Sequence, residues 1–166
     1  MIYRVLRHYL MTDPTSWGTI SAEDQAAKIA ARLTIAATVA GRIYPIKVPQ
    51  GATYPVITIR RISGSDATHL HGASSLVGGR WQVDSWTHER SGASAFNESQ
   101  VIGAAVKTRL EAFSGVVIDP GSGSPLARYR LGITFDQERE AFSSDVNGGY
   151  FGHQADFMVW ASRESM

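Results

Sequence analysis

The chain has 166 residues, and its 16 lysines and arginines against 15 aspartates and glutamates give a formal net charge of +1. A single domain of this length buries about 70% of its unfolded surface and needs no disulfide or metal to hold its core. A charge this close to zero provides no general attraction to DNA or to an anionic membrane. Because the chain contains no cysteine, disulfide frameworks, thiolate zinc sites and cysteine nucleophiles are excluded.

No stretch of the sequence supplies the ~20 consecutive apolar residues that a membrane span needs. The apolar run of residues 1–10 is interrupted by Arg4 and Arg7, so it lacks the continuous apolar centre of a signal peptide. We therefore expect a protein that is made and used in the cytoplasm, or on a particle assembled there. The same run has helical spacing and ends before Pro14, which predicts an N-terminal arm over residues 1–20, or a helix that packs on its own domain.

Two longer segments carry the start and stop signals of helices. The first begins after Ser21, a good N-cap with an acidic residue three positions later, and it ends at Gly41. The second begins after Ser94 and ends near Gly115. The apolar residues that predict the buried faces are Ala22, Ala26, Ile29, Leu33 and Ala36 in the first helix, and Ile102, Ala105, Val106, Leu110 and Phe113 in the second.

Five segments predict strands. Residues 42–48 contain a proline and precede another, which favours an edge strand or a connector, and residues 56–63 are rich in β-branched side chains. Residues 80–88, 128–136 and 151–160 alternate apolar and polar side chains, as half-buried strands do. These three strands therefore have one face for a core and one face for solvent or a partner.

Two long polar segments, residues 65–79 and 137–149, separate these strands, and their composition predicts long loops. An antiparallel sheet with one apolar face is stabilised by helices packed on that face. The sequence therefore predicts an α+β fold, with a mainly antiparallel sheet of four to five strands, two helices packed on one face and the order α-β-β-β-α-β-β. We expect one domain over residues 21–163 behind the arm.

The polar face of this predicted sheet holds an unusual set of side chains. It combines charged and amide groups with two tryptophans, and large apolar side chains such as tryptophan are unusual on a face that contacts only solvent. The residues are Gln82, Asp84, Trp86, Arg128, Arg130, Gln154, Asp156 and Trp160. Cross-strand ion pairing of the two aspartates with Arg128 and Arg130 explains the charges more simply than an acid–base pair does. The tryptophans indicate that the face contacts another molecule.

No motif in the sequence defines a catalytic or metal site. His69 and His71 form a His-x-His pair, but no third ligand has the spacing of a metal site, so we expect no metal. The GSGS run at residues 121–124 precedes a proline and a strand, whereas a phosphate-binding loop precedes a helix. There is no G-x-S-x-G motif of a serine hydrolase. We therefore expect neither a cofactor nor enzymatic activity.

A small α+β RNA-binding domain, or an enzymatic domain, stays open as an alternative at this point. Trp86 and Trp160 could stack on bases, and Arg80, Arg128 and Arg130 could contact phosphates. Against this, the element order differs from the βαββαβ order of the common RNA-recognition module, and carboxylates on the same face repel phosphate.

Several segments, taken in their order along the chain, resemble the tail-completion family of long-tailed phages. They are GRIYP at residues 41–45, YPVITIRRISG at 54–64, HLHG at 69–72, RWQVDSW at 80–86 and DFMVW at 156–160. The fourth segment matches an R-x-Q-V-D-x-W strand of that family. The resemblance covers residues 25–115 and 128–163, and its specificity comes from the order and spacing of the segments together.

The resemblance implies a structural virion protein of the tail and neck region, similar to tail terminator and tail-to-head joining proteins. Such a subunit forms a ring, expected to be a hexamer, on the last ring of the tail tube protein, where it ends tube growth. The ring joins the tail to the head connector or neck protein, and DNA passes through its lumen only as cargo. A head-side neck protein that closes the head is the alternative within the same assembly, and no membrane contact is expected.

The polar sheet face and the two long loops are the predicted contact surfaces of such a ring. We expect contacts between subunits at Gln82, Asp84, Trp86, Arg128, Arg130, Asp156 and Trp160. The loop residues have no periodic reason to be buried, and we expect contacts between stacked rings at His69, Leu70, His71, Leu76, Val77 and Phe142. Residues 1–19 and 138–149 extend beyond the family's usual pattern, so they are candidates for contacts specific to one particle.

Overall fold

A computed structural model describes residues 2–69, 72–89, 94–121, 127–145 and 148–164. In chain order, the elements of these residues are α1 (Ile2–Met11), α2 (Ala22–Val39), β1 (Ile43–Pro45), β2 (Val56–His69), β3 (Gly72–His88), α3 (Ala95–Leu110), β4 (Ser114–Asp119), β5 (Ala127–Asp145) and β6 (Gly148–Arg163). None of these helices combines the length and the hydropathy that crossing a bilayer requires.

The strands form one sheet in the order β1-β2-β3-β6-β5-β4. β1 runs parallel to β2, and the other neighbouring pairs are antiparallel. The predicted α+β class and the mainly antiparallel sheet are confirmed. The predicted element count is wrong in detail, because the described residues form six strands rather than four to five and three helices rather than two.

The two predicted long loops are strands of two hairpins. Residues 65–69 belong to β2 and residues 72–79 to β3, while most of residues 137–149 belong to β5 and β6. Composition is misleading here because these polar, glycine-containing segments are stabilised as strands by backbone pairing with a neighbouring strand. Gly64, for example, lies opposite Gly79. Register shifts near Ile62 and after Asp66 mark where the ladder adapts to these sequences.

β4 is absent from the elements that the sequence predicts. Its six residues begin at Ser114, shortly after α3 ends at Leu110, and Gly115, the predicted helix stop, lies within the strand. The strand pairs with β5 on one side, and Val116 also forms an isolated bridge with Ser16 in the segment between α1 and α2. Both partners are distant in sequence, so no local pattern could indicate this edge strand.

The helices lie on one face of the sheet, and the hydrophobic core lies between the two layers. α3 contacts β3, β5 and β6, α1 packs beside β4 and α2 packs on α3. The predicted caps are confirmed: the Asp24 amide donates to Ser21 Oγ at 3.1 Å, and the Asn97 amide donates to Ser94 Oγ at 3.4 Å. These two bonds satisfy amides that the first helical turns leave without a partner.

The buried face of α2 differs from the predicted stripe. Ala22, Ala26 and Leu33 lie outside the core, and the buried residues are Lys28, Ala31, Ile35 and Val39. Lys28 accounts for the rotation, because its ammonium group donates to the Thr108 carbonyl at 2.8 Å and to the Glu111 carbonyl at the end of α3. The aliphatic part of the Lys28 side chain lies in the buried face, while its ammonium group binds the end of α3. A hydrophobic pattern does not count lysine as a buried residue, so it misplaces the buried face of this helix.

α1 contributes to the same core as the rest of the chain. Its buried residues are Ile2, Val5, Leu6, Tyr9 and Leu10. Arg4 forms an ion pair with the buried Asp119 of β4, with 2.8 Å between Nη2 and Oδ2. The predicted division into an arm of residues 1–20 and a domain of residues 21–163 stays a prediction.

Candidate functional site

The candidate site is the sheet face that carries no helix, which we call the open face. Side chains alternate along each strand, so the register of β3 against β6 decides which residues share it. Gln82 lies opposite Asp156, and Asp84 lies opposite Gln154. On β5, Arg130 lies opposite Ser162 of β6. The open face therefore holds the seven predicted subunit-contact residues, Gln82, Asp84, Trp86, Arg128, Arg130, Asp156 and Trp160.

One hydrogen-bonded network on the open face is centred on Asp84. Gln82 Nε2 donates to Asp84 Oδ1 at 2.7 Å, and Thr58 Oγ1 donates to Asp84 Oδ2 at 3.4 Å. Arg60 donates twice to Gln82 Oε1, at 2.8 and 3.1 Å, and its guanidinium lies 4.0 Å from the carboxylate. Burial raises the pKa of Asp84 above its ordinary value, and the Gln82 bond and the arginine charge oppose that rise only in part.

A second network is centred on Asp156. Arg80 Nη2 lies 2.9 Å from Asp156 Oδ2 and 2.9 Å from Asp136 Oδ2. Gln137 donates to the same Asp156 oxygen at 3.0 Å, and Arg139 Nη1 lies 3.5 Å from it. Asp156 Oδ1 and Arg80 Nε are buried and have no hydrogen-bond partner in the described chain.

The arginines that pair with the two aspartates are not those predicted. Arg128 and Arg130 instead contact Glu164, at 3.4 and 3.1 Å. The pairing arginines are Arg60, Arg80 and Arg139. Alternation places Arg60 and Arg80 on the open face, whereas Arg139 reaches it only because the register of β5 shifts between Phe135 and Gln137. Which arginine lies beside which aspartate depends on the register between strands, which alternation leaves open.

Each tryptophan of the open face lies over a glycine of the neighbouring strand. A Cβ atom added at Gly78 would lie 2.0 Å from the Trp160 ring, and one added at Gly152 would lie 2.8 Å from the Trp86 ring. The absent side chains let both rings pack onto the backbone. Trp160 nevertheless stays 42% exposed, which is a large apolar area for a residue on a sheet.

A cleft of about 1100 Å³ lies at one end of the open face, below the segment of residues 46–54. Tyr54, Asp84, Trp86, His88 and Tyr150 are among its lining residues. The rings of Tyr54, His88 and Tyr150 contact one another, with centroid distances of 4.5–5.9 Å. No sequence pattern indicates this cleft, since residues 42–48 predict only an edge strand or a connector.

The residues predicted to contact a stacked ring lie at two ends of the sheet. Leu76 is exposed on the open face, whereas its neighbour Val77 points to the other side and packs partly against the core. Phe142 is 63% exposed and lies on the β5–β6 hairpin, where its ring is 5.1 Å from that of Phe151. His69 ends β2, and the predicted residues Leu70 and His71 lie outside the described residues.

In the described parts of the chain, no three His, Cys, Asp or Glu side chains are grouped closely enough to hold a metal ion. The predicted GSGS loop lies almost wholly outside these residues. The polar groups of the open face are engaged mainly with one another, as cross-strand pairs. This arrangement supports a contact surface held in shape by its own ion pairs.

The fold and the open face define a small α+β protein with a preformed polar contact surface and two projecting hairpins. Residues 26–160 match the family model described as "Tail completion protein gp17", and the chain belongs to that family. This confirms the resemblance drawn from the sequence motifs. The protein is a structural protein of a phage tail, located in the tail and neck region of the virion.

The fold is also similar to that of a solved structure. A chain from "Virion of native gene transfer agent (GTA) particle" is 19% identical, with a TM-score of 0.49, and the match covers 87% of this chain and 100% of that chain. No curated protein matches this sequence.

Proposed function

We propose that this chain is the tail terminator subunit. It forms a ring, expected to be a hexamer, on the last ring of the tail tube, ends tube growth and joins the tail to the head connector. DNA crosses the ring lumen as cargo, and neither a cofactor nor an enzymatic step takes part.

The observation that carries this proposal is that the two long hairpins, β2–β3 and β5–β6, end at opposite ends of the sheet. Because β3 and β6 pair from Leu76 opposite Ser162 to His88 opposite Tyr150, the pair His69–Gly72 lies at one end of the sheet and the pair Asp145–Gly148 at the other. A subunit that joins two different structures needs two different axial surfaces, whereas two matching surfaces would build a filament. The two hairpins differ in sequence and so supply such unlike ends, with the exposed Leu76 on the β2–β3 hairpin.

The open face is the proposed contact surface between subunits, and its seven residues contribute differently. Gln82, Asp84 and Asp156 are already buried by their own neighbours, so they shape the surface rather than form its outer layer. Arg128, Arg130 and Trp160 are exposed and are available to a neighbouring subunit. Exposed charges of this kind set the register of an interface more than its affinity.

The first test is the oligomeric state of the purified protein. We expect sedimentation velocity to give one species several times the mass of the 18.0 kDa subunit, and negative-stain images to show rings of uniform diameter. A species that stays monomeric at the highest soluble concentration, with no rings in the images, would overturn the proposal.

The second test places the ring in the particle. Rings are added to purified tail tube protein during polymerisation, and we expect shorter tubes with rings at one end only. An unmixed tube protein is the control for length. Rings that leave tube length unchanged, but bind isolated heads, would instead identify the chain as a head-side neck protein.

A further inference from the structure

The sheet ends in two long strand edges that no strand of the described chain covers. β1 pairs only with Ile57–Ile59 of β2, so the outer edge of β2 is open over residues 60–69. β4 pairs with β5 as far as Gly132, so the outer edge of β5 is open over residues 134–145. Open edges of this length are templates for pairing with another chain.

The two open edges have the geometry for pairing with each other in a neighbouring copy. They lie on opposite sides of the sheet, and β2 and β5 run in opposite directions, so a second copy in the same orientation places its β5 antiparallel to β2. The open part of β2 lies toward one end of the sheet and that of β5 toward the other. The neighbour is therefore displaced along the strands, and such a stagger is what closes a sheet into a barrel.

The side chains along the two edges are complementary. β2 carries Arg61 and the exposed Ile62, and β5 carries Glu140 and the exposed Phe142, all outside the open face or at its border. Ile62 is 47% exposed and Phe142, although its ring contacts that of Phe151, is 63% exposed, so both leave apolar area that the subunit does not cover. Arg61 donates to the Gly78 carbonyl at 3.3 Å. Neither Arg61 nor Glu140 forms an ion pair within the described chain, so each edge carries a charge of opposite sign that has no charged partner.

Resting on the ring proposed above, we propose that the ring closes by β-strand addition between copies. The open edge of β2 in one subunit pairs with the open edge of β5 in the next, with Arg61 and Ile62 against Glu140 and Phe142. The occupant of each edge is thus a second copy of this chain. Phe142 then contacts a neighbour within the ring, rather than a stacked ring.

Charge reversal tests the pairing. We expect Arg61→Glu and Glu140→Arg each to reduce the ring fraction in sedimentation at least tenfold, and the double variant Arg61→Glu/Glu140→Arg to restore it. Arg7→Glu reverses an exposed charge on α1 and should leave the rings intact. Thermal melting checks that each single variant is folded. A double variant no better than the singles would overturn the pairing of these two residues.

Cysteine cross-linking tests the edges themselves, and the chain is suited to it because it contains no cysteine. Ser63→Cys is combined with Arg139→Cys, Ala141→Cys or Ser143→Cys, which samples three registers of the antiparallel pair. After oxidation, we expect one of these variants to give a ladder on a denaturing gel that ends at the copy number of the ring. A mixture of the two corresponding single-cysteine variants should stop at dimers.

The outcomes separate this inference from the proposed function. Rings of the wild-type protein together with no ladder in any of the three registers would overturn the edge pairing and leave the ring function standing. Absence of rings in the wild-type protein would overturn the ring function and the pairing with it.

Discussion

The two faces of the sheet satisfy their polar groups in different ways. On the helix side, Arg109 is fully buried and donates to backbone carbonyls of Tyr9, Thr12 and Lys28 at 2.6–3.0 Å. On the open face, Arg80 and the other arginines donate to side chains such as that of Asp156. The hydrogen bonds of Arg109 connect three helices, and the buried polar groups that they join need these partners. The side-chain bonds of the open face connect neighbouring strands at a surface that water also reaches.

This difference separates stability from assembly. A buried carbonyl that loses its donor has no replacement, so the cost of removing a helix-side group appears in folding. The partners of a polar group on the open face can also bind neighbouring side chains and solvent, so removal of that group costs less folding free energy. We expect its removal to affect mainly the contacts with other subunits. Variants at four positions, three of them paired with a variant at a second position, test this separation.

The largest effect is expected at Arg109. Arg109→Met removes the buried guanidinium, which also lies 4.1 Å from the Tyr9 ring centroid, and leaves the helix-end carbonyls without donors. We expect the free energy of unfolding in urea to fall by about 3–5 kcal/mol. The matched variant is Arg130→Met, at an open-face arginine that is 65% exposed in its side chain, where the loss should stay below about 1 kcal/mol. Equal losses in the two variants would contradict the comparison.

The second effect concerns the glycine beneath Trp160. Gly78→Ala places a methyl group where the ring now lies, so the ring must leave the sheet, and we expect a loss of about 1–3 kcal/mol in urea denaturation. Tryptophan emission should shift to longer wavelength as the ring becomes more exposed. Gly132→Ala, on the strand at the other side of Trp160, is the control, since an added Cβ there meets nothing within 4 Å. A neutral Gly78→Ala variant would show that the ring is not held there.

The third effect is the pH dependence that Asp84 contributes. Burial raises the pKa of this carboxyl above 3.8, so the folded state binds the proton more tightly than the unfolded state does. The unfolding free energy therefore falls as the pH rises from about 4 through the folded-state pKa, by about 1.4 kcal/mol for each pH unit between the two pKa values. Asp84→Asn cannot titrate and should lose this fall, and urea denaturation from pH 4 to pH 7 measures it. A constant difference between variant and wild type across that range would refute the assignment.

The smallest effect on stability is expected at Leu76. Leu76→Ser changes an exposed side chain at one hairpin and should alter the unfolding free energy by less than about 0.5 kcal/mol. The adjacent Val77 packs against the core from the other side, so Val77→Ser should cost more, at about 1–2 kcal/mol. Complementation of a particle lacking the protein should give tails without heads for Leu76→Ser. Normal particles from that variant would exclude Leu76 from the axial contact.

Much of the fold is predictable because its signals are local. Ser21 and Ser94 cap helices through bonds to residues three positions away, and the alternation of residues 80–88 assigns each side chain to a face of the sheet. The seven predicted residues of the open face, including both tryptophans, follow from alternation. The motifs that indicate the tail completion family are equally a property of the sequence, and the match over residues 26–160 confirms them.

Other features need the tertiary structure because they depend on partners distant in sequence. β4 is six residues long and exists through its pairing with β5 and its bridge to Ser16. The polar segments after Gly64 and Asp136 form strands because neighbouring backbones satisfy their amides and carbonyls. Lys28 lies inside because α3 ends beside it and leaves two carbonyls to bind.

The sequence by itself determined the class of the fold, the helix starts and the placement of the seven predicted side chains on the open face, since each of these depends on spacings of two to four residues. Only the tertiary structure decided the ion-pair partners of Asp84 and Asp156, the cleft below residues 46–54 and the two open strand edges. Register and strand order decide all three. They are fixed by the fit of whole elements to one another rather than by any residue's immediate neighbours.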